Sequence, residues 1–399
     1  MSALNGGAPA RGGEIAALTG LRGFAALWVL LFHVWGAAGP RRMILDLGGL
    51  SLDFTPLFSI GWAGVQVFFV LSGFLLALPY IDWRAGRRAQ PPVLPYLARR
   101  CVRVLPGYYL QLLILVLIAW QVEGHRVIGD LGELVGYLAM AFLPEPLGVV
   151  MLNDVWWTLP IEFSFYLVLP LLAVLLQRRW LWLLLGAAFA VMCAWRWLTI
   201  EVWAAASAPG GRFLLGYQLP GSLDSFALGM AAALLFRTPG ARGRLAGWRR
   251  ELLAAVGLGL AAGLLYWMHF GYRAYWTPAA ITFLWTPLFC VATAAVVLAA
   301  AGGSVILRGL LANRVMHYLG VISYGIYLWH NPILRWIKAA ALPIEGYALP
   351  WLLALCVGAA VAAAALSWHL VERPLMLLVR RHLGGSGNGR AAAAAGGAR

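Results

Sequence analysis

The sequence predicts an all-α polytopic membrane protein of about ten transmembrane helices with both termini cytoplasmic, and three observations lead there. Of its 399 residues, 62% are hydrophobic and only 11% are charged, where soluble domains hold about 25% charged residues. Apolar runs long enough to cross a hydrocarbon core, roughly 20 residues each, recur along the whole chain. They centre near residues 27, 71, 113, 168, 189, 226, 260, 290, 327 and 361. Basic residues, finally, are dense in every second connection and sparse in the others.

The dense connections hold Arg84, Arg87, Arg88, Arg99 and Arg100 after the second segment, Arg178 and Arg179 after the fourth, and Arg237, Arg242, Arg244, Arg249 and Arg250 after the sixth. Arg308 and Arg314 follow the eighth segment, and Arg380 and Arg381 the tenth. The sparse connections have scattered cations such as Arg41, Arg42, Arg126 and Arg273, beside Asp46, Asp53, Glu123, Asp130, Glu133 and Glu145. By the positive-inside rule the dense set, and both termini with it, faces the cytoplasm. The net charge of +15 therefore reads as a topology signal, and no nucleic-acid partner is expected. Cys101, Cys193, Cys290 and Cys356 are isolated in or beside apolar segments, so neither a disulfide framework nor a metal site is expected.

The chain divides into a tail over 1–14, a membrane domain over 15–380 and a low-complexity tail over 381–399, whose Gly, Ser and Ala content predicts disorder. The first apolar run is too long for a signal-peptide core and is expected to stay in the mature protein. The longest connection, from Glu123 to Asp154, contains a run from Leu131 to Leu147 that suits an interfacial or re-entrant helix. Trp and Tyr near segment ends fit an interfacial aromatic belt, and His125, His269 and His382 fall at membrane boundaries.

Into the first segment, Ala16 to Ala38, are set Arg22 and His33, eleven positions apart. At about 100° per residue that is three turns plus roughly 20°, so both share one helix face. Ionisable groups inside such a segment are costly and are functional candidates. At about 1.5 Å per residue His33 lies roughly 24 Å into the membrane, near its outer boundary. Glu162, if the fourth helix enters from outside at Thr158, lies only about 6 Å below that boundary, and a ninth helix beginning near residue 315 brings His330 to a similar level. The inner side gathers Arg22, Arg100, Arg103, Glu372 and Arg373. An imidazole oriented by a carboxylate suits hydroxyl activation. Planar guanidinium forks suit phosphate recognition, although Arg99, Arg100 and Arg103 equally suit positive-inside anchoring. Asp224 is expected either to contact a substrate or to neutralise an Arg such as Arg212, and Ser72 to be a small packing residue.

Leu21-Arg22-Gly23 followed by His33, the run Gly64 to Phe74 (GVQVFFVLSGF), Arg100 to Tyr108 (RCVRVLPGY) and Trp157 to Tyr166 (WTLPIEFSFY) resemble the acyltransferase family 3 membrane enzymes. Leu319 to Pro332 (LGVISYGIYLWHNP) and Ser367 to Pro374 (SWHLVERP) match that family's closing motifs in order, so the resemblance covers roughly residues 15 to 380. It implies an acyl donor that is usually cytoplasmic acetyl-CoA and an acceptor that is a sugar hydroxyl of a cell-envelope or secreted glycan. One departure is Gln66, where many members have Asp; the position bears on the acceptor or on a charge pair.

The expected function is thus an integral membrane O-acyltransferase, chiefly an O-acetyltransferase, of a bacterial cytoplasmic membrane. Its partners are acyl-CoA as co-substrate, a glycan or glycolipid acceptor and the membrane lipids, with no tightly bound cofactor and no metal. Arg22, Arg100 and Arg103 hold the donor phosphates, and His33 is the base with Glu162 as its orienting partner. A covalent acyl-histidine is open to the same residues. Gln66, Asp224, His330, Glu372 and Arg373 are polar positions for the acceptor or for structure. A transporter or flippase of a glycan or lipid-linked glycan also uses intramembrane Arg, His and Glu. That class calls for related halves, and the Arg22/His33 pattern has no counterpart in the second half.

Overall fold

A computed structural model describes residues 16–122, 124, 126–143, 148–203, 211–340 and 348–382. Both terminal tails, His125, Glu123 and Glu145, and the side chain of Arg212, fall outside the described residues. Ten helices organise what remains: α1 (Ala16–Ala37), α2 (Gly64–Arg84), α3 (Val93–Gln121), α4 (Thr158–Leu172), α5 (Leu181–Leu198), α6 (Leu219–Arg237), α7 (Trp248–Gly271), α8 (Ala280–Ala301), α9 (Ser323–Ala339) and α10 (Ala348–Ser367). Among the described residues nine segments are long and apolar enough to cross a membrane, so the chain is a multi-pass integral membrane protein. The expected span near residue 327 differs. The chain breaks at Ile322 between a helix over Arg314–Val321 and the 17-residue α9, whose Tyr, His, Asn and Arg content lowers its hydropathy.

Lipid-facing and enclosed helices separate clearly. Trp182, Leu183, Val256, Trp351 and Leu366 on α5, α7 and α10 point outward, as apolar side chains do where the solvent is hydrocarbon. By contrast α1, α2, α6 and α8 are mostly enclosed. Two close backbone approaches set this interior. A Cβ on Gly73 would lie 2.2 Å from the Phe226 carbonyl oxygen, and one on Gly229 would lie 2.1 Å from that of Val70, so α2 and α6 cross with nothing between them. On α1, a Cβ at Gly20 would meet the Leu311 oxygen at 1.8 Å, while one on Gly320 would meet the Thr19 oxygen at 1.9 Å. Small residues permit such contact in membranes, where helices associate by packing rather than by hydrophobic exclusion. Ser72, beside Gly73, is held by more than packing, because its hydroxyl donates to Glu162.

Outside the bundle, a two-stranded antiparallel ribbon pairs β1 (Ile44–Asp46) with β2 (Ser51–Asp53). In the longest connection the described part of the expected run is helical over Leu131–Leu138, and 144–147 lie outside the described residues. Asp130 caps it by accepting from the Glu133 N–H, and the Glu133 carboxylate accepts in return from the Gly129 N–H, a reciprocal arrangement akin to a capping box.

If the Gly20 and Gly320 contacts seat α1, then Gly320→Val should destabilise the protein by about 1–3 kcal/mol or more through overpacking. Gly259→Ala on α7, where a Cβ meets nothing within 4 Å, should be tolerated. Unfolding in detergent measures both, and equal stability of the two variants would contradict the packing.

Candidate active site

Proline decides where the outer polar groups sit. Pro332 lies inside α9 and has no N–H, which deprives the Leu328 carbonyl of its helical donor. That oxygen instead accepts from Gln111 Nε2 at 2.8 Å and from Asn153 Nδ2 at 2.9 Å. Gln111 Oε1 accepts in turn from Asn153 Nδ2 and, at 2.7 Å, from Trp156 Nε1. Asn331 Nδ2 donates to Asn153 Oδ1 at 3.1 Å and Asp154 Oδ2 at 3.4 Å. A buried amide network thus fastens the approach to α4 onto α9 and holds Asp154 in place.

His33, one turn from the end of α1, faces this region. Its Nδ1 lies 2.9 Å from the Val29 oxygen and 3.2 Å from His330 Nε2. His330 is fully buried, and its own Nδ1 lies 3.1 Å from the Ile326 oxygen. Asp154 is within electrostatic range of His33. Both line a cavity of about 250 Å³ whose other walls are largely aromatic, including Trp62, Trp157, Phe213, Tyr217, Tyr272 and Trp276.

A smaller cavity of about 40 Å³ adjoins it, lined by Arg22, Phe68, Thr158, Glu162 and Tyr324 and sharing Val65 and Tyr327 with the first. Here Glu162 Oε1 accepts from Tyr166 at 2.6 Å and from Ser72 at 3.0 Å. Arg22 is in electrostatic range of Glu162, Tyr166, Arg100 and Arg103. Arg100 lies over the rings of Tyr96 and Tyr166, Arg103 over Trp368, and Arg22 over Phe68. The Nε atoms of Arg22 and Arg100 are buried without a hydrogen-bond partner, so both guanidiniums keep donor capacity for an anion.

Glu162 therefore stands with Arg22, and the expected pairing with His33 is corrected. The depth estimate counted from Thr158. A 3₁₀ turn over Asp154–Trp157 runs straight into α4, so the apolar segment begins at Asp154, before the point from which that depth was counted. Asp154 holds the outer acidic position instead. Its only sequence signal was that it ends the longest connection.

The remaining candidates scatter. Glu372, buried at the end of a π-helical turn over Trp368–Glu372, accepts from Ser367 at 2.9 Å and is in range of Arg103, while Arg373 is exposed. Gln66 is buried with Oε1 unpartnered and lines neither cavity. Asp224 also lies away from both, and among the described residues Arg196 is in range of it. Arg196, which sequence reasoning passed over, donates to the Gly221 and Thr282 carbonyls and to Tyr275, whose hydroxyl meets that of Tyr217 at 2.8 Å. It braces the aromatic wall. The rule that singled out Arg22, a cation within an apolar segment, would have found it. Among the described residues no group of three or more His, Cys, Asp or Glu is placed to hold a metal.

A family model described as an acyltransferase domain matches residues 15–368. The chain is 30% identical to Acyltransferase MdmB of Streptomyces mycarofaciens over 94% of each protein. It is 27% identical to Nodulation protein 10 of Rhizobium leguminosarum bv. viciae, over 90% of this chain and 92% of that one. It is 25% identical to Peptidoglycan O-acetyltransferase OatA of Listeria monocytogenes over 90% of this chain, which spans 56% of that protein's length. No solved structure matches it.

The two cavities predict distinct couplings. In unfolding measurements Arg22→Gln and Glu162→Gln should be non-additive by about 0.5–3 kcal/mol, whereas His33→Gln and Glu162→Gln should add to within about 0.5 kcal/mol. The opposite pattern would restore the His33 and Glu162 pairing.

Proposed function

The chain belongs to the acyltransferase family 3 enzymes and is a membrane O-acyltransferase, and from that premise we propose that it moves an acetyl group from cytoplasmic acetyl-CoA to a sugar hydroxyl at the outer side of a bacterial cytoplasmic membrane. One observation bears the proposal. Arg22 and His33 lie on one face of α1, roughly 16 Å apart, and line two adjoining cavities, the first beside a cationic cluster and the second walled by aromatic rings.

Each end suits one substrate. Arg22, Arg100 and Arg103 bind the donor's phosphates, since guanidinium forks match phosphate oxygens and two of the three hold buried, unpartnered Nε donors. The pantetheine arm then runs between α1, α2 and α4 toward His33. Trp62, Trp157 and Trp276 offer flat apolar faces for the C–H side of a sugar ring, and Asp154 offers an acceptor for its hydroxyls. The names of related proteins agree with a glycan acceptor, peptidoglycan O-acetyltransferase among them.

The chemistry is a direct transfer. The free ring nitrogen of His33, Nε2, takes the proton of the acceptor hydroxyl as its oxygen attacks the thioester carbonyl. The C–S bond breaks, the CoA thiolate leaves and takes that proton back from His33, and the ester remains on the sugar. Asp154 stabilises the transient imidazolium. Glu162, Tyr166 and Ser72 keep Arg22 compensated within the membrane, and a buried cation held in that way stays available to the donor.

Purified protein incubated with labelled acetyl-CoA and an extract of envelope glycans should transfer label to the glycan fraction. A general base contributes about 10²- to 10⁴-fold, so His33→Gln should lose that much turnover while still binding acetyl-CoA. Arg100→Ala and Arg103→Ala should instead weaken acetyl-CoA binding. Near-normal turnover in His33→Gln would remove the base, and unchanged donor affinity in both Arg variants would leave only an anchoring role.

A further inference from the structure

His330 is fully buried beside His33 and has no task in the transfer as written. Its surroundings give it one. The ring Nδ1 of each histidine faces a main-chain oxygen one turn back, Val29 for His33 and Ile326 for His330, the direction in which helical side chains lean. A carbonyl oxygen only accepts, so each Nδ1 must bear its proton, and in a neutral imidazole Nε2 is then the lone-pair acceptor. For His330 that acceptor is the atom 3.2 Å from His33 Nδ1. The donor on His33 is thus shared between Val29 and His330, which leaves His33 Nε2 bare.

We propose that His330 is a positioning residue, whose Nε2 accepts from the His33 Nδ1–H and keeps the His33 ring turned so that Nε2 meets the acceptor hydroxyl. This role is the one that sequence reasoning gave to Glu162. In hydrolytic triads a carboxylate accepts from the base's Nδ1–H and fixes tautomer and orientation; here a neutral imidazole does so in a place where a carboxylate would be costly to bury. The pair does not pass protons along. His330 Nδ1–H ends on the Ile326 carbonyl, which cannot take a proton, so the proton gained by His33 returns through Nε2 to the leaving thiolate. When His33 is an imidazolium, His330 supplies a charge-assisted hydrogen bond on one side and Asp154 a negative charge near the cavity mouth.

The inference rests on His33 being the base, and the experiment separates the two. Histidine-¹⁵N-labelled wild type, with the His33 signals identified by their loss in His33→Gln, should show a protonated Nδ1 and a bare Nε2. His330→Leu, in which the Val29 carbonyl still holds the Nδ1–H tautomer, should free the His33 ring to turn and lower kcat for labelled acetyl transfer about 10- to 100-fold, the range expected for losing a hydrogen bond to a charged group, with KM for acetyl-CoA unchanged. His330→Gln, whose amide oxygen still accepts, should recover most of the rate. If His330→Leu does not fold, the wild-type spectrum and His330→Gln decide. A protonated Nε2 in wild-type His33, unimpaired kcat in His330→Leu, or equal loss in His330→Gln and His330→Leu overturns the role of His330. Retained turnover in His33→Gln overturns the base itself, whatever His330 does.

Discussion

A guanidinium and an imidazole on one face of α1 stay within the membrane only because other helices bring polar groups to meet them, and the rest of the fold follows from that requirement. Charged side chains in hydrocarbon are costly unless they face a protein-lined space and find partners there. Arg22 finds the Glu162, Tyr166 and Ser72 cluster, while His33 finds His330 and Asp154. Bringing these groups within reach demands close helix packing. Glycine supplies it where α1 touches the Leu311 and Gly320 backbone and where α2 crosses α6. The hydrogen-bond donor that Pro332 withholds from α9 is also used, because the Leu328 carbonyl it leaves free ties down the segment that presents Asp154.

In the proposed transfer, two adjoining cavities divide the labour. A phosphate-rich donor and a hydroxyl-bearing acceptor call for opposite surroundings, cationic for one and aromatic with a few acceptors for the other. Val65 and Tyr327 form the partition that both cavities share. Tyr327 itself is held by hydrogen bonds with Thr158 and the Val155 carbonyl. The partition is therefore fixed by the same α4 entrance that carries Asp154.

Much of this was legible in the sequence, for identifiable reasons. Hydropathy and composition report solvent directly, so each of the ten expected centres falls within a helix. The phase of Arg22 and His33 on α1 follows from the helical period alone. What was not legible depends on vertical register and tertiary partners. That Glu162 stands with Arg22 depends on which helix faces meet, although the 3₁₀ turn before α4 has a local signal in Asn153, whose side chain accepts from the Val155 N–H. Pairing His33 with His330 requires knowing which faces of α1 and α9 meet, which a shared level along the membrane normal does not give. Arg196 was missed although the same rule applied to it, because it lies near a segment end where a cation reads as an anchor.

The central claim is that the acetyl group crosses the membrane plane within this protein, from the arginine cluster to His33. The direct measurement confines labelled acetyl-CoA to one face of sealed proteoliposomes of known protein orientation and offers the envelope glycan extract at the other. The account predicts glycan labelling when acetyl-CoA is on the face of Arg99 and Arg100 and the glycans are opposite, with none when the two are exchanged. Labelling only when both substrates share one face would contradict it.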